Sequence, residues 1–113
     1  MASMHELYRQ LLWLAKISKK TVWLPDDLRK KYKTGPLAYL KPYIVDDMIP
    51  GCWAISKRMS GFEVVEMGEK YAERPLCGLL GKTKGDLLEK LHSVCQFLAW
   101  EYLSGEERKD ALP

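Results

Sequence analysis

The sequence predicts an α+β domain, in which a small antiparallel sheet (a hairpin or meander spanning roughly residues 52–80) carries an N-terminal and a long C-terminal helix on one face. Three observations predict it. Apolar residues recur at three- and four-residue steps near both ends of the chain, the middle changes to short β-prone runs, and glycine and proline mark the boundaries. With 113 residues the chain can bury one core but not two of ordinary size, so residues 1–105 read as one domain and 106–113 as a charged tail that frays.

Ser3-Met4-His5-Glu6 fits a capping box and opens the first helix. Met4, Leu7, Tyr8, Leu11, Leu14 and Ala15 then fall on one face, as far as about Ile17. Trp13 falls opposite that stripe, between Glu6, Arg9 and Gln10, so either the helix is sandwiched or Trp13 is held out for a partner. Thr21-Val22-Trp23-Leu24 is a short β-prone run stopped by Pro25, which suits the first position of a second helix carrying Asp26 and Asp27 at its positive end. Arg29, Lys30, Lys31 and Lys33 follow, and Thr34-Gly35-Pro36 breaks the helix. Leu37 to Val45, interrupted by Pro42, reads as irregular or as a short helix followed by an extended piece.

Pro50-Gly51 marks a turn, after which Cys52 to Lys57 and Phe62 to Met67 read as an antiparallel hairpin joined by Arg58-Met59-Ser60-Gly61. Tyr71-Ala72 and Leu76 to Leu80 supply one or two further strands, with Pro75 keeping the first short or at an edge. Gly81 to Gly85 is a loop, and Thr83 with Asp86 imitates a capping box that opens the longest helix. Leu87, Leu88, Leu91, Val94, Cys95, Leu98 and Tyr102 form its stripe, with Trp100 off it and an end near Ser104-Gly105.

Apolar residues at 47% and charged residues at 29% are ordinary for a globular chain and exclude disordered and fibrous classes. No apolar run approaches the ~20 residues of a membrane span and no secretory signal is evident, so an intracellular, cytoplasmic protein without a membrane partner is expected. Cys52, Cys77 and Cys95 lack a C-x-x-C pair and are expected to be reduced and buried; with His5 and His92 they do not make a metal site.

Catalytic motifs are not found. Gly81-Lys82-Thr83 ends like a phosphate-binding loop, but Leu76 stands where that pattern needs glycine, so no nucleotide cofactor is expected. His92 and Cys95 are three residues apart on one helix, with no third group to orient them, and read as a rim histidine and a buried thiol.

Charge is uneven along the chain. Residues 1–45 hold nine basic against three acidic residues, +6, and residues 46–113 hold nine against twelve, −3. Such asymmetry is a hint of an anionic partner, and Lys19, Lys20, Arg29, Lys30 and Lys31 are the candidate nucleic-acid contacts. The first expectation is nevertheless a non-enzymatic protein-binding or adaptor domain, with Trp13, Arg9 and Trp100 as partner contacts and a homodimer as one possible assembly.

Two short motifs carry family resemblances. Leu7-Tyr8-Arg9, followed by Leu11-Leu12, resembles the signature of the mitochondrial LYR-motif family. That resemblance implies a small basic adaptor, built as a helical hairpin or three-helix unit, that binds acyl carrier protein and assists respiratory-complex or iron–sulfur assembly. Thr21-Val22-Trp23-Leu24-Pro25-Asp26-Asp27-Leu28 is similar to the strand-then-helix opening of ribbon–helix–helix DNA-binding proteins. It implies a dimer whose paired strand enters the major groove, with outward residues drawn from Thr21, Trp23, Lys19 and Lys20.

Overall fold

Ser3 accepts the Glu6 backbone N–H at 3.2 Å while its own N–H donates to the Glu6 carboxylate at 3.2 Å, and this closed capping box starts α1 (Met4–Ser18). The computed structural model describes residues 2–102, and side chains as far as Leu98. After α1 come β1 (Val22–Trp23), the short helix α2 (Asp26–Arg29), two 3-10 turns (Lys30–Tyr32 and Ala38–Tyr43), and β2 (Ile44–Val45). Then follow β3 (Trp53–Arg58), β4 (Gly61–Met67), a 3-10 turn (Glu69–Tyr71), β5 (Glu73–Gly81) and α3 (Lys84–Tyr102). The expected α+β class holds, with both helices packed together and on the sheet.

The sheet is larger than the expected hairpin or meander. Its order is β2-β1-β3-β4-β5; β3, β4 and β5 are antiparallel, while β1 runs parallel to both β2 and β3. Two-residue strands are too short to announce themselves, and parallel neighbours need a long connection. Here residues 24–43 supply it as a crossover of short helical turns. Flanked on both sides, β1 has no free edge to pair with a second copy, so the ribbon implied by the strand-then-helix motif is not formed. Nor is the helical unit implied by Leu7-Tyr8-Arg9 the architecture found.

Tyr71-Ala72 is not strand but the end of a 3-10 turn, and Gly81 belongs to β5 rather than to a loop. That position requires glycine: a Cβ on Gly81 would stand 2.4 Å from the Leu87 backbone nitrogen, where the first turn of α3 is seated. The capping box that opens α3 is as expected, with Thr83 Oγ1 accepting the Asp86 N–H at 3.1 Å and the Asp86 carboxylate accepting the Thr83 N–H at 3.2 Å. β5 is an edge strand blunted by Pro75, by Gly78 at φ +85°, and by Lys90, whose ammonium donates to the Leu80 carbonyl.

One face of the sheet carries α1 and α3. Leu87, Leu91 and Cys95 form the α3 seam, and Leu7, Leu11, Leu14, Val22, Val64 and Leu79 complete the core around it. Every residue of α1 from Gln10 to Ala15 is buried, because the crossover covers the side of α1 that the apolar stripe leaves bare. The other sheet face holds a smaller cluster, Cys52, Ala54, Val65 and Met67, against which Trp23, Val45 and Met48 pack. Cys77, expected to be buried, is exposed on β5, because the irregular register of that edge strand turns it away from the core. No helix of the described residues is long and apolar enough to cross a membrane. The 106–113 tail lies outside the described residues.

Candidate functional site

The residues singled out from sequence do not converge on one surface. Trp13 is a core residue at 2% exposure, so its role as a displayed partner anchor is corrected. Its ring lies 5.8 Å from Tyr39 and beneath the Lys16 ammonium at 4.7 Å. The helical period had placed Trp13 opposite the apolar stripe correctly, but the crossover occupies that side. Arg9, four residues earlier, is exposed at the margin of the same contact. The Trp100 side chain lies outside the described residues.

The five candidate cations divide by role. Lys19 is the left-handed C-cap of α1 at φ 57°, and Lys20 pairs with Glu66 at 3.5 Å. Arg29 is a strut: it donates to the Leu24 carbonyl at 3.0 Å, binds Asp26, and holds Asp46 at 3.2 Å. Lys30 and Lys31 are exposed on the crossover, as are Lys33 and Lys41. These four have no acidic partner among the described residues.

Where α1 meets the crossover, His5 and Tyr32 rings lie 5.8 Å apart. Burial, with Lys31 and Arg9 nearby, lowers the His5 pKa against the opposing pull of Glu6. Burial pushes the Tyr32 phenol up to about 12. His5 Nε2, Trp13 Nε1 and Tyr32 Oη are buried without a hydrogen-bond partner, and they are the only such side-chain atoms among the described residues.

The two buried thiols, Cys52 and Cys95, are poorly suited to nucleophilic chemistry. Cys95 is fully buried, its S–H directed at the Gln10 carbonyl at 3.8 Å, and burial raises its pKa to about 11; burial also raises Cys52. Among the described residues no group of three or more His, Cys, Asp or Glu is placed to hold a metal.

A surface that the sequence reading missed lies at one end of the sheet. Trp23, Asp46, Asp47, Met48, Ile49, Pro50, Gly68, Lys70 and Tyr71 enclose a depression of about 540 Å³. Trp23 is anchored there by its indole N–H, which donates to the Asp46 carbonyl at 3.2 Å. Ile49 is 47% and Tyr71 74% exposed on the rim. Lys70 and Tyr71 are consecutive left-handed residues at φ 55° and φ 60°, without glycine at either position. The signal available in the sequence was apolar residues set inside turns: Met48-Ile49 before Pro50-Gly51, and Tyr71 after Gly68-Glu69-Lys70.

The chain matches no family model, no curated protein and no solved structure.

Proposed function

We propose that the protein is a small protein-binding module whose docking surface is the trough bounded by Trp23, Ile49 and Tyr71. The observation that carries this reading is the strained display of Tyr71. A non-glycine residue in the left-handed region costs about 1–2 kcal/mol, and here two occur in succession while the second exposes most of its ring. The turn is closed by Ala72 N–H to the Glu69 carbonyl at 3.1 Å and Gly68 N–H to the Ala72 carbonyl at 2.7 Å, bonds that do not call for an aromatic ring at its tip. An aromatic on a rigid rim, beside an isoleucine and a half-buried tryptophan, has the composition of a binding hot spot. The occupant is a polypeptide segment that seats an apolar side chain between Trp23 and Tyr71 and brings a basic group to Asp47, which has no ion-pair partner among the described residues.

A nucleic-acid reading is favoured by a different observation, the four exposed lysines of the crossover, which have no acidic partner among the described residues. One experiment separates the two. The parent protein, a Tyr71→Ala/Ile49→Ala variant and a Lys30→Glu/Lys31→Glu/Lys33→Glu/Lys41→Glu variant are used as baits, each with and without nuclease. The protein-binding reading expects a partner that resists nuclease, stays with the lysine variant and loses about 2 kcal/mol or more of affinity for the Tyr71 variant. Loss on nuclease treatment, or retention by the Tyr71 variant, contradicts it.

A further inference from the structure

We infer that a second depression, on the crossover, binds a phosphate group. It measures about 490 Å³ and is lined by Arg29, Tyr32, Lys33, Lys41, Ile44 and Asp46. Its charged residues come from separate parts of the crossover: Arg29 from α2, Lys33 from the end of the first 3-10 turn, and Lys41 from the second. The only acid in its wall is Asp46, whose carboxylate is already held by Arg29 Nε at 3.2 Å. Those two groups cancel, and the remaining field at the mouth is set by Lys33 and Lys41.

Neither lysine has an acidic partner among the described residues, and both project from a segment stiffened by Pro36 and Pro42. Two lysines lining one walled concavity suit a dianion better than a single carboxylate, since each phosphate oxygen accepts a charge-assisted hydrogen bond. The wall itself is firmly held. Tyr32 is 1% exposed, with its ring 5.8 Å from that of His5, and gives the depression a fixed back wall.

The phosphate could belong to a small ester or to a nucleic-acid backbone. The shared chemistry is the dianionic or monoanionic phosphoryl group. The depression shares Asp46 with the Tyr71 trough, but neither Lys33 nor Lys41 lines that trough.

The test is a titration followed by backbone amide resonances, using inorganic phosphate, a nucleoside monophosphate and a single-stranded oligonucleotide, with sodium chloride at matched ionic strength as the control. Saturable shifts at Lys33, Lys41 and Ile44 with phosphate, absent with chloride, are expected. Lys33→Ala/Lys41→Ala should weaken binding roughly tenfold or more, while Lys30→Ala/Lys31→Ala, which removes the same charge outside the depression, changes little. Tighter binding of the monophosphate than of the oligonucleotide assigns the site to small esters, and the reverse order with the same Lys33 and Lys41 dependence assigns it to a backbone phosphate. A parent that responds to phosphate only as it does to chloride, or a Lys30/Lys31 variant that loses as much as the Lys33/Lys41 variant, overturns the proposal.

Discussion

The two sides of α1 are built differently. Toward α3 the contact is apolar, with Leu87, Leu91 and Cys95 fully buried, and even the Cys95 thiol finds the Gln10 carbonyl. Toward the crossover the contact is made by His5, Trp13, Tyr32 and Tyr39, and it contains His5 Nε2, Trp13 Nε1 and Tyr32 Oη without partners. An unmet buried hydrogen bond costs about 1–3 kcal/mol. The first seam therefore reads as structural, whereas the second joins α1 to a segment of short turns with part of its polar chemistry unused. Both candidate binding depressions open on residues of that crossover or of the turn that follows it.

Trp13→Ala gives the largest expected effect. Truncating so large a buried ring should cost about 3–5 kcal/mol in urea unfolding, as in a core, even though the residue sits on the side of α1 away from its apolar stripe. A cost below about 1 kcal/mol would mean that the crossover does not close over the helix.

Alkaline pH should weaken both seams. Tyr8 and Tyr32 are pushed up to about 12 and Cys95 to about 11, each because burial disfavours the ionised form. A folded pKa above the unfolded one means a contribution fully present below the unfolded value, about 10 for tyrosine and about 9 for the thiol, and lost as pH rises through the folded value. Stability measured by urea at successive pH should thus fall from about pH 9 to 12. A flat profile would argue that these groups are solvated.

The pair Tyr8→Phe and Tyr32→Phe compares a satisfied buried hydroxyl, where α1 meets the sheet, with the unsatisfied one toward the crossover. Tyr8 shares a backbone hydrogen bond with Ile55, so its loss should cost about 0.5–1.5 kcal/mol. The Tyr32 hydroxyl has no partner among the described residues, so its removal should be neutral or slightly stabilising. Equal costs at the two positions would erase the distinction.

The smallest effect is expected at His5. Its pKa is lowered in the fold, so its contribution is present above the unfolded value of 6.5 and lost as pH falls through the lower folded value. His5→Gln should reduce the slope of stability against pH between about 5 and 7, measured by thermal unfolding. An unchanged slope would place the acid sensitivity elsewhere.

Elements whose signals are local were legible in the sequence. Ser3 with Glu6 and Thr83 with Asp86 each fixed a helix start over four residues, the 53–67 hairpin was marked by its glycine-ended loop, and Leu87, Leu91 and Cys95 lie where their spacing put them. Val22-Trp23 and Ile44-Val45 were not legible as paired strands, because two residues carry no period and their pairing is decided by the crossover. The candidate site was hidden for similar reasons. A helical wheel gives the direction of Trp13 but not what lies against it, and lysine and tyrosine carry no mark of a left-handed backbone.

Tyr71→Gly tests the central claim, that the protein holds Tyr71 in a costly conformation in order to present its ring. Glycine removes the left-handed penalty but adds chain entropy to the unfolded state, so the net change should be a gain of about 0.5–1 kcal/mol in thermal or urea unfolding, with loss of the partner captured by the parent. A less stable variant, or one that keeps the partner at parental affinity, would contradict the account.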